Sequence, residues 1–257
     1  MNQKQDYIAV FDSGVGGISV LRQLRKIMPQ ERYLYYGDSA NAPYGSRPTQ
    51  EIRALALNAA EHLISHGIKA LVVACNTATA AAIDALRQTY PELIIVGIEP
   101  ALKLAAEKYP NGTIGVLATP VTLREEKFQK LVAVCSNRCK VIAFPAPGLA
   151  DLVEAGKGSG PEATALLSPL LSPWKGKLDA LVLGCTHYPF AAAAIADILG
   201  DETELLDGGE GTAKETHRRL KAAGLLSDGT GEILWQNSSQ DNNALPFFQS
   251  LLNANLP

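Results

Sequence analysis

The chain has 257 residues, of which 47% are apolar and 19% charged, with a formal net charge of −3. That composition is globular, sized for one large domain or two small ones, and it excludes a disordered chain. With no polybasic block and no apolar stretch of bilayer-spanning length, nucleic acid and membrane are not expected as partners.

Residues 1–7 are polar and the first apolar run is too short for a signal peptide, so the expected compartment is the cytoplasm. Residues 8–11 read as a strand that ends at Asp12-Ser13-Gly14-Val15-Gly16-Gly17, ahead of a helical pattern through Leu21, Leu24 and Ile27. Residues 32–36 form a second predicted strand, and residues 41–48 are turn-rich. Helical spacing over 51–66 ends at Gly67, which suits a C-cap. A strand over 71–74 leads into a helix after Cys75 that runs to about Tyr90, where Pro91 breaks it. Residues 93–96 are the next strand.

Near Thr113 the layout restarts. Residues 114–119 match 8–13 in arrangement, and 181–184 mirror 71–74. Between them lie a predicted strand (141–144), a helix (149–154) and an exposed loop (156–161). After them come a strand at Leu205-Leu206, Asp207-Gly208-Gly209, and a helix over 211–223. A strand over 232–238 and a helix over 245–252, with Pro246 in its first turn, complete the chain. The pattern is an internal duplication of two α/β units. Alternating strands and helices predict parallel sheets flanked by helices. Ligands of such sheets bind beyond the C-terminal strand ends, where Asp12, Ser13, Cys75, Thr119 and Cys185 all fall.

Four cysteines are present, Cys75, Cys135, Cys139 and Cys185, and none forms a Cys-x-x-Cys pair. They fit reduced thiols better than a disulfide framework. Cys135 and Cys139 read as ordinary thiols in a helix-end loop, because zinc normally takes four such ligands; no metal site is expected. Cys75 and Cys185 differ, since LVVACNT and LVLGCTH place them at matched strand ends. One buried cysteine is usually a small hydrophobe, but two at equivalent junctions point to one cleft and to acid/base work on its contents. Both are expected at helix N-termini, where thiol pKa falls. Asn76-Thr77 and Thr186-His187 add hydrogen-bonding groups beside them, as caps or as substrate donors. His187 is a candidate proton partner for Cys185. Asp12 reads either as a helix cap or as a ligand for a substrate ammonium that also tunes a thiol. Ser13 and nearby amides can hold a carboxylate. The glycine turn does not fit the dinucleotide fingerprint G-x-G-x-x-G. Residues 43–46 read as a surface turn or a pocket wall, and Arg47 and Glu154, taken alone, as solvated charges.

Together these segments resemble the glutamate racemase family of the aspartate/glutamate racemase superfamily. The resemblance rests on FDSGVGG (11–17), YYGDSANAPYG (35–45), ACNTAT (74–79), VGIEP (96–100), Thr119 with Thr122, LVE (152–154) and LGCTHYP (183–189). It implies two pseudo-symmetric α/β domains, 1–97 plus 207–257 and 98–206, with the active site in the cleft between them. It implies interconversion of L- and D-glutamate without pyridoxal phosphate, metal or nucleotide, for peptidoglycan precursors. Cys75 then faces the α-proton of the D-isomer and Cys185 that of the L-isomer. Asp12, Glu154 and His187 assist proton transfer, and Asp12, Ser13, Tyr44, Gly45, Asn76, Thr77, Thr119, Thr186 and His187 contact substrate. A homodimer is the assembly admitted. The sequence departs from the family at Asp207-Gly208 (usually Asp-Ser), at residues 143–147 (a segment that usually begins Cys-Pro) and at Glu125 (often serine).

The expected chemistry is a two-base transfer in which one cysteine removes the α-proton as thiolate and the other returns a proton to the opposite face. Three rivals stand beside it: a racemase of another amino acid such as aspartate, a Cys185–His187 hydrolase, and a non-catalytic amino-acid-binding protein.

Overall fold

The structure is a computed structural model and describes residues 6–241 and 243–254. The polar N-terminal run read above therefore lies, for residues 1–5, outside the described residues.

The first half of the chain runs β1 (Tyr7–Asp12), α1 (Ile18–Ile27), β2 (Arg32–Gly37), α2 (Thr49–Ile64), β3 (Ile68–Val73), α3 (Asn76–Thr89) and β4 (Ile94–Gly97). The second runs α4 (Leu102–Lys108), β5 (Thr113–Ala118), α5 (Pro120–Arg124), α6 (Glu126–Cys135), β6 (Lys140–Pro145), α7 (Leu149–Glu154), α8 (Pro161–Leu171), β7 (Ala180–Leu183), α9 (Ala192–Leu199) and β8 (Glu204–Asp207). The chain then returns with α10 (Gly209–Ala222), β9 (Ile233–Asn237) and α11 (Ala244–Leu252).

Two separate sheets form, in the orders β4-β3-β1-β2-β9 and β6-β5-β7-β8. Every pairing in both is parallel. Matching β1 to β5, β2 to β6, β3 to β7 and β4 to β8 gives one strand order twice, with β9 appended to the first sheet. The duplication legible in the sequence is therefore a duplication of topology.

Each sheet is buried on both faces, as strands in parallel sheets must be. Along β1, Ala9 and Phe11 pack with α2 and α3, while Ile8 and Val10 face α1, α10 and α11. In the second sheet Leu117, Leu181 and Leu183 face α8 and α9, and Ile114, Val116 and Val182 face α4 and α6. Gly67 follows α2 at φ 73°, the left-handed conformation that glycine adopts without strain. Cys135 closes α6 and the Cys139 thiol donates to its carbonyl at 3.6 Å, so both are buried thiols at a helix end.

Three differences from the sequence reading have physical causes. β3 begins at Ile68 rather than Leu71, because Lys69 is buried in an ion pair with Glu31 at 2.6 Å and no longer interrupts the strand. Helices α4, α5, α6 and α8 were not anticipated. The expectation that Cys185 opens a helix is overturned: residues Tyr188–Ala191 form a 3-10 turn and α9 starts only at Ala192. Pro189 lacks an N–H and restricts the residue before it, so an α-helical ladder cannot run back to Cys185.

Candidate active site

The C-terminal ends of β1, β3, β5 and β7 meet where the two sheets face each other. A cavity of about 300 Å³ opens there, within the size range of small-molecule sites. Cys75 lines it from the first sheet and Cys185 from the second. Ser13, Tyr44, Gly45, Asn76, Thr77, Thr119, Glu154 and His187 also line it.

Cys75 caps α3, with its sulfur accepting the Ala78 N–H at 3.4 Å while its thiol donates to Ser13 Oγ at 3.6 Å. The expected lowering of its pKa does not follow. Burial, reinforced by the Asp12 charge, pushes the thiol up to about 12, and the Ala78 N–H and Ser13 hydroxyl oppose this only in part. One N–H at a helix start is outweighed by removal of the thiolate from water. Cys75 of the free protein is therefore a thiol at neutral pH.

Cys185 follows β7 in a tight turn, and its sulfur lies 3.7 Å from His187 Nδ1. On the other side of the ring, Nε2 donates to Glu154 Oε1 at 2.6 Å. The same carboxylate oxygen accepts the Val15 N–H at 2.8 Å. Burial alone would favour neutral imidazole, but the contacts to Cys185 and Glu154 outweigh it and hold His187 well above its ordinary pKa. The result is a chain from thiol to imidazolium to carboxylate, anchored on the glycine turn after β1.

That turn explains its own composition. A Cβ on Gly14 would lie 1.8 Å from Glu154 Oε1, and one on Gly16 would lie 2.4 Å from His187 Nδ1. A Cβ on Gly17 would meet the Asp12 Cβ at 2.6 Å. Gly14 and Gly16 thus make room for side chains of the second half, and Gly17 for Asp12, rather than for a phosphate.

Asp12 and Thr186 sit behind the cavity wall rather than on it. The Asp12 carboxylate accepts the Gly14 N–H at 3.0 Å and the Thr186 hydroxyl at 2.9 Å, joining the two halves. It caps the glycine turn and not α1, whose N-cap is Gly17. Burial raises its carboxyl above the ordinary value, against the His187 charge and both hydrogen bonds. Thr77 reaches the hydroxyls of Thr119 and Thr122 at 3.3 Å each, a second polar link across the halves. Asn76 Oδ1 is buried with no hydrogen-bond partner, a free acceptor beside the cavity. The Tyr44 hydroxyl donates to Asp38 at 2.6 Å, which fixes the 44–46 turn, and Gly45 packs under Thr119.

Arg124 and Asp151 also line the cavity and were not singled out from sequence. Arg124 opens a charged run (124–127) and Asp151 stands alone in an apolar helical stretch, and no sequence signal separates either from a solvated group. Arg47 is turned away, donating to the Asn41 carbonyl and pairing with Glu51. Among the described residues no cluster of three or more His, Cys, Asp or Glu suits a metal ion, and no helix is long and apolar enough to cross a membrane.

The sequence profile of the Asp/Glu/Hydantoin racemase family matches residues 18–216, and the chain belongs to that family. Among its relatives, a glutamate racemase of Clostridium perfringens strain SM101 is 45% identical over 248 residues, covering 95% of each chain. A crystal structure of glutamate racemase from Francisella tularensis with D-glutamate superposes with a TM-score of 0.84 at 28% identity, covering 98% of this chain and 95% of that one. The Escherichia coli glutamate racemase, in complex with L-glutamate and the activator UDP-MurNAc-ala, also scores 0.84, at 29% identity over 96% of this chain and 94% of that one.

Proposed function

We propose that this protein interconverts L- and D-glutamate by moving the Cα proton between two thiols. The observation that carries the reading is that Cys75 and Cys185, one from each half of the fold, line the same cavity. One sulfur, as thiolate, takes the α-proton, and the other, as thiol, gives a proton to the opposite face. Cys75 serves the D-isomer and Cys185 the L-isomer, with His187, held by Glu154, as the proton partner of Cys185. Asp12 assists by tying Thr186 to the glycine turn.

An amino-acid α-proton is weakly acidic, so the site must stabilise a carbanion-like transition state. Donors fixed before reaction are the largest contribution open to it. Ser13, Asn76, Thr77, Thr119 and the amides of Tyr44 and Gly45 are placed to supply polar contacts to the substrate. Two thiols provide both removal and return of the proton, so the reaction is read as needing no cofactor.

The domain division 1–97 plus 207–257 and 98–206 is supported by the strand membership of the two sheets. We assign the product to peptidoglycan synthesis and the protein to the cytoplasm, where its four free thiols stay reduced. A homodimer remains part of this reading.

The test is circular dichroism of pure L- and of pure D-glutamate with purified protein and no added cofactor. Both signals are expected to decay to zero. Cys75→Ser and Cys185→Ser are each expected to abolish the decay while leaving the fold intact. Racemisation that persists without either thiol excludes the scheme. A second reading has one specific observation behind it. The order Cys185, His187, Glu154, at 3.7 Å and 2.6 Å, is also that of a thiol hydrolase. It leaves Cys75 unused, and a stable acyl adduct on Cys185 seen by mass spectrometry would support it.

A further inference from the structure

We propose that His62, His66 and the side-chain amide of Gln236 form a surface site for a divalent transition-metal ion of the imidazole-binding class, such as zinc or nickel. The site is remote from the cavity. Thr49, at the opposite end of α2, is the residue that reaches Glu125 across the cleft, and the 16 residues of that helix span about 24 Å.

His62 lies in the last turn of α2, and His66 directly follows its Ser65 cap. Four residues apart, the two rings share one side of the helix end, with their centroids 4.7 Å apart. Gln236 arrives from β9, where it is the register partner of Tyr36. The Tyr36 ring packs against His62 at 5.2 Å. Gln236 Oε1 lies 2.8 Å from His62 Nε2, and Gln236 Nε2 donates to His66 Nε2 at 3.0 Å. Both imidazole Nε2 atoms thus converge on one small amide group, where a chelated ion would sit between them.

One ring already has the form a metal needs. His66 Nδ1 lies 2.9 Å from the His62 carbonyl, which can only accept, so Nδ1 carries the hydrogen and Nε2 the lone pair. Such a carbonyl contact is what fixes the tautomer and orientation of a metal-bound imidazole. His62 donates from Nε2 to the Gln236 oxygen. Its ring is exposed, so that proton passes through water to Nδ1 when an ion takes Nε2, and the released amide oxygen becomes the third ligand. Two imidazole nitrogens and a neutral oxygen suit zinc or nickel, whereas calcium and magnesium take oxygen ligands. Water completes the shell. The carbonyl end of α2, with its partial negative charge, also favours a cation there. A bound ion ties α2 to β9, the strand at the edge of the first sheet.

The experiment titrates Ni²⁺ into the untagged full chain by calorimetry, with thermal unfolding and Trp235 fluorescence as further readouts. Wild type is expected to take up Ni²⁺ saturably at micromolar concentration, to unfold at a higher temperature when loaded, and to lose emission from Trp235, the neighbour of Gln236. His62→Ala and His66→Ala should each weaken binding at least ~10-fold and remove the other two effects. Gln236→Glu, which offers a charged oxygen in place of the amide, should bind about tenfold tighter. Ni²⁺ held by cysteine thiols is common to all variants and subtracts out. The metal-free unfolding temperature verifies that each variant is folded, and His62→Gln replaces His62→Ala if the latter is destabilised. A folded His62→Ala/His66→Ala double variant that keeps the wild-type isotherm and temperature shift overturns the site, as does wild-type binding only above about 1 mM Ni²⁺. Neither result bears on the racemase reading, which is tested by activity.

Discussion

Replacing Glu154 by glutamine removes one charge from the thiol–imidazole–carboxylate chain while keeping its shape. The carboxylate holds His187 Nε2 at 2.6 Å and the Val15 N–H at 2.8 Å, and its side chain is 25% exposed. A hydrogen bond to a charged group contributes ~1.5–3 kcal/mol, and a neutral one about 1 kcal/mol. The partial exposure places the loss at about 1–2 kcal/mol, a factor of roughly 5–30. In the variant, burial of His187 is opposed by one fewer partner, so its pKa drops. The sign of the stability effect follows from linkage. A histidine whose folded pKa is raised contributes stability that is fully present below its unfolded pKa, near 6.5, and lost as pH rises through the folded value. The stability difference between wild type and Glu154→Gln, from urea unfolding, should therefore be greatest at about pH 6. It should shrink as pH climbs from there towards the folded pKa and be gone above it. Imidazole NMR of His187 should show the titration itself moving down, and kcat should fall by the same factor of roughly 5–30. A stability difference independent of pH, with an unmoved titration, refutes the assignment of Glu154 as the group that keeps His187 charged.

Three further outcomes are open to direct measurement. Gly16→Ala places a Cβ 2.4 Å from His187 Nδ1 and 2.6 Å from Thr186 Oγ1, so the ring must shift by about 1 Å and kcat should fall about 10²-fold. Gly211→Ala, with nothing within 4 Å of the new carbon, is the control and should keep full activity. Because the Cys75 thiol is pushed up to about 12, its thiolate fraction at pH 8 is about 10⁻⁴. Iodoacetamide should then modify Cys75 in the free protein ~10³-fold more slowly than an unperturbed cysteine, with a roughly tenfold gain per pH unit. Peptide mass spectrometry reads the rate, and modification at the rate of a free cysteine would contradict the burial argument. Lys69→Met strands Glu31, which is 2% exposed, without its cation, and should cost ~3–5 kcal/mol in urea unfolding. Most of that should return in the double variant with Glu31→Gln.

How much of this was legible in the sequence follows from what each residue must do locally. The strands read clearly because both faces of each sheet are covered, which forces runs such as residues 71–74 and 180–183 to be apolar throughout. Cys75 and Cys185 stood out because the duplication repeats their context, and the structure brings both to one cavity. The short helices were harder. α5 and α6 are separated by Glu125 alone, and α8 carries Pro169 in its interior, a residue that argues against a helix. The Lys69–Glu31 pair was hidden because a lysine inside an apolar run reads as a strand boundary until its partner, 38 residues away, is known. The role of Gly14 and Gly16 was likewise out of reach, since the side chains that demand them, Glu154 and His187, arrive from the other half of the chain. The pKa of Cys75 was misjudged because helix position is written in the sequence and desolvation is not.

The central claim is that two different sulfurs work on opposite faces of one carbon. Its most direct test is the isotope pattern during the first turnovers of L-glutamate in deuterated water. Two opposed thiols require the D-glutamate formed to carry deuterium at Cα while the remaining L-glutamate stays unlabelled. D-glutamate that keeps the original hydrogen, or L-glutamate that gains label at the same rate as product forms, would mean that one base serves both faces, and the account would be wrong.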